Sequence, residues 1–195
     1  MLSMTLLFDQ SGMLPYMLFA AFVHELGHFA AIILCRGRVN LLTLGFIGLK
    51  IDYRGQEISY GGEILIALMG PFSNIVVAAL ATLFGQRLFG ESLFFFVGLN
   101  AWAAILNLVP ITQLDGGRAL YAALALWRGD VFATKLSCMI SLLCIFLLLV
   151  AGFCVFLYSH WNISLLAIAL WLFVGYCKNY ENGIQLGGKF VRETR

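Results

Sequence analysis

Residues 14–34 read LPYMLFAAFVHELGHFAAIIL, an apolar run of helical length with two histidines and a glutamate near its middle. On a helix, residues four apart share a face, so His24 and His28 can present two imidazoles to one metal ion. Glu25, beside the first histidine, can reach a metal-activated water as general base. Ionisable side chains are costly in hydrocarbon, which makes an intramembrane metal site the first hypothesis. The plain alternative is a chance match to a short pattern, a rare event in a chain of this length.

The rest of the chain agrees with a membrane setting. Its 195 residues are 62% hydrophobic and 11% charged, with mean hydropathy +0.93. Soluble domains have about 45–50% apolar and about 25% charged residues, so an integral membrane protein is indicated. A net charge of +2 is too small and dispersed for a nucleic-acid partner. The five cysteines (Cys35, Cys138, Cys144, Cys154 and Cys177) show no C-x-x-C spacing and read as small buried hydrophobes. The first dozen residues lack the basic region and cleavage site of a signal peptide.

Apolar segments at roughly 13–35, 62–84, 92–109, 133–158 and 162–177 give an expected fold: all-α and polytopic, with about five transmembrane segments. The third and fifth are short for a span. Without repeats or low-complexity tracts, residues 1–195 read as a single membrane domain. Arg36, Arg38, Lys50 and Arg54 follow the first segment, Arg118 and Arg128 the third, and Lys178, Lys189, Arg192 and Arg195 the fifth. The remaining connections carry Arg87 and His160. Five alternating spans place the basic loops on one face, the cytoplasmic one, with the N-terminus outside and the tail of about 178–195 inside. Tyr158, Trp161 and Trp127 read as interface anchors.

Residues 39–60 differ in kind. Val39–Leu44, Ile47–Tyr53 and Glu57–Tyr60 are short β-prone runs between Gly45, Gly48 and Arg54-Gly55. A small membrane-associated β-hairpin or sheet is expected there, serving as a lid or as an edge that pairs with an extended peptide.

Two histidines do not complete a catalytic metal site, since zinc normally takes three protein ligands and leaves one position for water. His160 falls on the opposite side, Glu63 and Glu91 read as solvated span ends, and Asp52 and Glu57 lie in the β-prone insert. Asp115 sits differently, in Asn107-Leu-Val-Pro110-Ile-Thr-Gln-Leu-Asp115-Gly116-Gly117-Arg118. Pro110 breaks the helix, and the two glycines let the backbone bend and approach a neighbour closely. Such a break at membrane depth needs protein or a watery cavity around it, and it can deliver a carboxylate toward another helix. The alternative is a loop aspartate that caps the next helix. Paired with the histidine motif, the ligand is the stronger reading.

Together, His24-Glu25-Leu26-Gly27-His28 and Asn107-x-x-Pro110-x-x-x-x-Asp115-Gly116-Gly117 resemble the site-2 protease family of intramembrane zinc metalloproteases, and most of all its compact bacterial members of the stage IV sporulation protein FB type. Gly70-Pro71-Phe-Ser-Asn74 resembles a further family element, so the likeness covers about 15–125 with three elements in order. The resemblance implies one Zn2+ per chain on His24, His28 and Asp115, with Glu25 as catalytic base. It implies that Asn107 orients substrate or stabilises the oxyanion. Asn74 would lie near the cleft, with Pro110 and Gly116 as supporting positions. The substrate would be a membrane-embedded or membrane-associated protein, cut in regulated intramembrane proteolysis within the lipid bilayer. A regulatory membrane partner or a homo-oligomer stays open.

The chain departs from the family pattern at Gln113, where a second proline is frequent. No span is expected before the histidine-bearing one, and neither a PDZ nor a CBS domain after the last. A proteolytically inactive zinc-binding scaffold is the main rival, against which the presence of Glu25 argues. A metal transporter would need more intramembrane ionisable residues than the two motifs supply.

Overall fold

The computed structural model describes residues 13–35, 41–45, 48–52, 59–85, 90–159, 163–181, 185–186 and 189–190. Several residues weighed above lie outside them: the first dozen, Arg36, Arg38, Arg54, Gly55, Glu57, Arg87, His160, Trp161, Arg192 and Arg195.

Helix α1 spans Leu14–Leu34 and carries Pro15 in its first turn, where proline has no intrahelical bond to lose. Its buried residues are Ala20, His24, Gly27, His28, Ala31 and Ile32, a stripe at helical spacing. Phe19, Phe22, Leu26, Phe29 and Ile33 are exposed on the other faces. Polar groups turned inward and large apolar groups turned outward is the arrangement a hydrocarbon surrounding favours.

The strands Leu41–Gly45 (β1) and Gly48–Asp52 (β2) pair antiparallel, Leu41 opposite Asp52. Helix α2 then runs Tyr60–Phe84 with Pro71 inside it. A 3-10 turn at Gly90–Ser92 leads into α3, Leu93–Leu108. Helices α4 (Asp115–Arg128), α5 (Asp130–Tyr158) and α6 (Ser164–Glu181) follow, with a two-residue ladder between Gln185–Leu186 (β3) and Lys189–Phe190 (β4).

The expected fold needs correcting in two respects. Among the described residues three helices, α1, α2 and α5, are long and apolar enough to cross a membrane, where about five were expected. Helix α3 has 16 residues and spans only about 24 Å against a hydrocarbon core of about 30 Å. The apolar part of α6 is likewise short, Ser164–Lys178. Secondly, among the described residues the insert over 39–60 is reduced to the two short strands β1 and β2 in an otherwise helical molecule, with no larger sheet. Its third run, Glu57–Tyr60, contributes no strand among the described residues, because Ser59 starts a helix instead. The Ser59 hydroxyl accepts the Gly62 N–H at 3.2 Å, satisfying a first-turn donor of α2. The cap overrides the β preference of Tyr60.

The chain forms two compact units, Met1–Gln56 with Leu68–Asn107, and Glu57–Ala67 with Leu108–Arg195. In the first, α1 and α2 approach closely at Gly27. A Cβ there would collide with the Met69 carbonyl oxygen and lie 2.8 Å from Ser73 Oγ. Beside this, Ala81, Leu93 and Phe96 form a core with Tyr16, Val77 and Val97 packed on it. In the second unit α5 packs on α4 and α6, and Ile111, Ile145 and Leu172 are its buried centre. Gly152 receives the backbone at Leu166, where a Cβ would come within 2.9 Å. Gly129, at φ +81°, is a conformation glycine adopts readily, and it is the single residue between α4 and α5.

Candidate metal centre

The α1 stripe sets His24 directly below His28. Both imidazoles are buried, their planes cross at 84°, and the two Nε2 atoms stand 3.1 Å apart. Two nitrogens on one tetrahedral zinc, at about 2.0–2.1 Å each, are separated by about 3.3 Å. The space at which they converge is left by Gly70 of α2. A Cβ there would collide with His28 Nε2 and lie 2.9 Å from His24 Nε2. Two convergent imidazole nitrogens, near the separation a shared ion requires, fit zinc, and the donor type suits it.

Helix α2 braces this pair. Pro71 has no N–H for the Ala67 carbonyl, which loosens the helix ladder beside the site. The Ser73 hydroxyl, shared between the Val23 carbonyl of α1 at 2.9 Å and the Gly70 carbonyl at 2.7 Å, ties the two helices. One turn on, Asn74 is fully buried with its Nδ2 3.5 Å from His24 Nδ1. Glu25 follows His24 on α1 and is half-buried.

Asn107 occupies the last turn of α3, where its Nδ2 donates to the Ala103 carbonyl at 3.0 Å. One of its two N–H groups is thereby engaged and the other is left for a further acceptor. Asn100, one helix repeat earlier, is buried with Oδ1 unpartnered among the described residues. Its position inside an apolar run gave the sequence reading no motif to seize on. Gly70 stood in the Gly70–Asn74 element, but its place against the imidazoles comes only from the packing of α1 and α2.

In the second unit Asp115 is the first residue of α4 and is buried, with Arg118 Nη1 3.7 Å away. The N-cap position falls to Leu114, whose side chain makes no capping bond, and Asp115 follows it in the first turn. Pro110 lies in the break before α4. Gly116 and Gly117 lie against that break, where Cβ atoms would collide with the carbonyl oxygens of Leu108 and Ile111. The freed backbone is satisfied partly by α5 and partly within the break itself. Thr112 N–H donates to Ser141 Oγ at 3.0 Å, and the Leu114 N–H donates to the Ile111 carbonyl at 2.8 Å. Gln113, where the family pattern has a proline, lies against Gly175 of α6. Glu63, expected to be solvated, is buried in the first turn of α2.

Known proteins supply an independent comparison. The model of peptidase family M50 matches residues 85–151, which include the Asn107–Gly117 segment and leave His24 and His28 outside. The structure is similar to that of the site-2 protease from Methanocaldococcus jannaschii, with a TM-score of 0.65 at 22% sequence identity. That likeness covers 92% of this chain and 79% of the other. No curated protein sequence matches the chain. Three long apolar helices and these two likenesses together identify the chain as a membrane protein with a peptidase family M50 sequence match set in a site-2 protease fold.

Proposed function

We propose that the chain is a single-domain intramembrane zinc metalloprotease that cuts membrane-embedded or membrane-associated proteins, with one zinc ion held by His24, His28 and Asp115. The observation that carries this reading is the convergence of two buried imidazole Nε2 atoms against Gly70 on a helix fit to cross a membrane. The buried carboxylate of Asp115 is the third donor. Zinc bound there supplies Lewis acidity, lowering the pKa of water toward neutrality and polarising a scissile carbonyl.

The chain's own groups do the rest. Glu25 takes a proton from the attacking water and returns it to the leaving amine, as one carboxylate can do in both directions. Asn107 turns its remaining N–H toward the oxygen on which negative charge develops. Pro110 and Gly116 hold the break that brings Asp115 to the start of α4. The basic connections argue for cytoplasmic access to the site, with the N-terminus outside.

The test uses purified wild type, Glu25→Gln and Asp115→Ala with a membrane-protein substrate. Wild type is expected to cleave in a chelator-sensitive manner. The Glu25→Gln protein should retain zinc and lose at least about 100-fold in rate, the scale of general-base catalysis. Asp115→Ala should lose zinc. Equal cleavage by Glu25→Gln and wild type would leave the chain as a zinc-binding scaffold, not a protease.

A further inference from the structure

Asparagines in apolar helices ordinarily satisfy themselves on their own helix. Asn100 donates to the Phe96 carbonyl and Asn107 to the Ala103 carbonyl, each four residues back. Asn74 does not. Its carboxamide is wholly buried and faces the imidazole of His24, and its Oδ1 has no hydrogen-bond partner among the described residues.

A histidine that binds metal through Nε2 must carry its ring proton on Nδ1, and that proton needs an acceptor. The two ends of a carboxamide are nearly equal in shape, so a half-turn about Cβ–Cγ exchanges donor for acceptor without disturbing the packing. With Nδ2 toward the ring, Nδ1 is the acceptor and the proton sits on Nε2, which blocks metal binding. With Oδ1 toward the ring, the buried oxygen gains a donor and Nε2 keeps its lone pair for the metal.

We propose that Asn74 is the positioning residue of His24, accepting the Nδ1 proton through Oδ1 and thereby fixing both the tautomer and the rotation of the ring. This inference rests on the metal-centre reading given above. Asn74 touches neither metal nor substrate and acts through the imidazole alone. An asparagine serving only helix packing would be replaceable by a leucine of similar volume. One serving the tautomer is replaceable only by another acceptor.

The experiment measures zinc affinity by chelator competition for the full chain in detergent, as wild type, Asn74→Leu and Asn74→Asp. Outer-shell partners of metal-binding histidines are worth about 10–100-fold in affinity, and Asn74→Leu should weaken binding by that factor. Asn74→Asp, whose carboxylate accepts the same proton, should bind at least as tightly as wild type. Unchanged affinity in Asn74→Leu, or Asn74→Asp as weak as Asn74→Leu, overturns the proposal. A second measurement needs no variant: in zinc-loaded wild type with 15N-labelled histidine, the His24 Nδ1 proton should exchange slowly with water. A rapidly exchanging proton overturns it as well. A wild type that binds no zinc fails differently, because it removes the metal centre itself.

Discussion

At the scale of single residues, the least conspicuous side chain in the site is one that is absent. Gly70 leaves the volume toward which both imidazole Nε2 atoms turn, and a methyl group there must displace one of them. Gly70→Ala is therefore expected to lower zinc affinity by about tenfold or more, on the scale of displaced ligands and their supports. Chelator competition checks this, and helical circular dichroism unchanged from wild type shows that the loss is local. The histidines, Glu25 and Asp115 could all be singled out in the sequence as candidates, since each stands in a motif whose spacing has a chemical reason. Gly70 and Asn74 were only half legible. Their positions could be noted, but what they face depends on how α1 and α2 pack, and no spacing within one helix reports that.

At the scale of elements, the informative region is where α4 turns into α5. Asp130, just past Gly129, accepts hydrogen bonds from both the Tyr60 and Tyr121 hydroxyls. Burial foremost, and then the bond to Asp130, push the Tyr121 phenol well above its ordinary value of 10.0. A group whose proton is held more tightly in the folded protein contributes stability in full below its unfolded pKa and loses it as pH rises. The stability contributed by Tyr121 is thus intact below pH 10 and declines above it. Thermal unfolding in detergent should show the melting temperature falling across that range, and Tyr121→Phe should remove part of the fall. Equal slopes in both proteins would refute the linkage. Elements were read well where periodicity and breakers agreed: Pro110 and Gly116-Gly117 announced the break between α3 and α4. At Tyr60 side-chain preference suggested a strand, and the Ser59 hydroxyl decided for a helix.

At the scale of the whole molecule, the exposed surface of α5 includes Met139, Leu142, Leu143, Phe146, Leu147, Val150, Phe153 and Leu157. Such a face is stable in lipid or detergent and insoluble in water. Its sidedness is open to a direct measurement. With the native cysteines replaced, a single cysteine at Lys178, among the basic residues that follow the apolar part of α6, should react in sealed cells only with membrane-permeant reagents. Reaction with an impermeant reagent would invert the orientation. That the chain is a membrane protein followed from composition alone. The number of helices long enough to cross did not, because α3 is largely apolar yet only 16 residues long, and length in ångströms enters only once the helix ends are known.

The connection at Gly129 has a mechanical side. One residue between two helices leaves no slack, so a displacement of α5 cannot be absorbed by a loop and passes into α4 as rigid-body motion. Asp115 stands at the far end of α4, some 14 residues from that joint. The helix is a lever arm of about 20 Å, and small rotations at its pivot become the largest movements at the carboxylate.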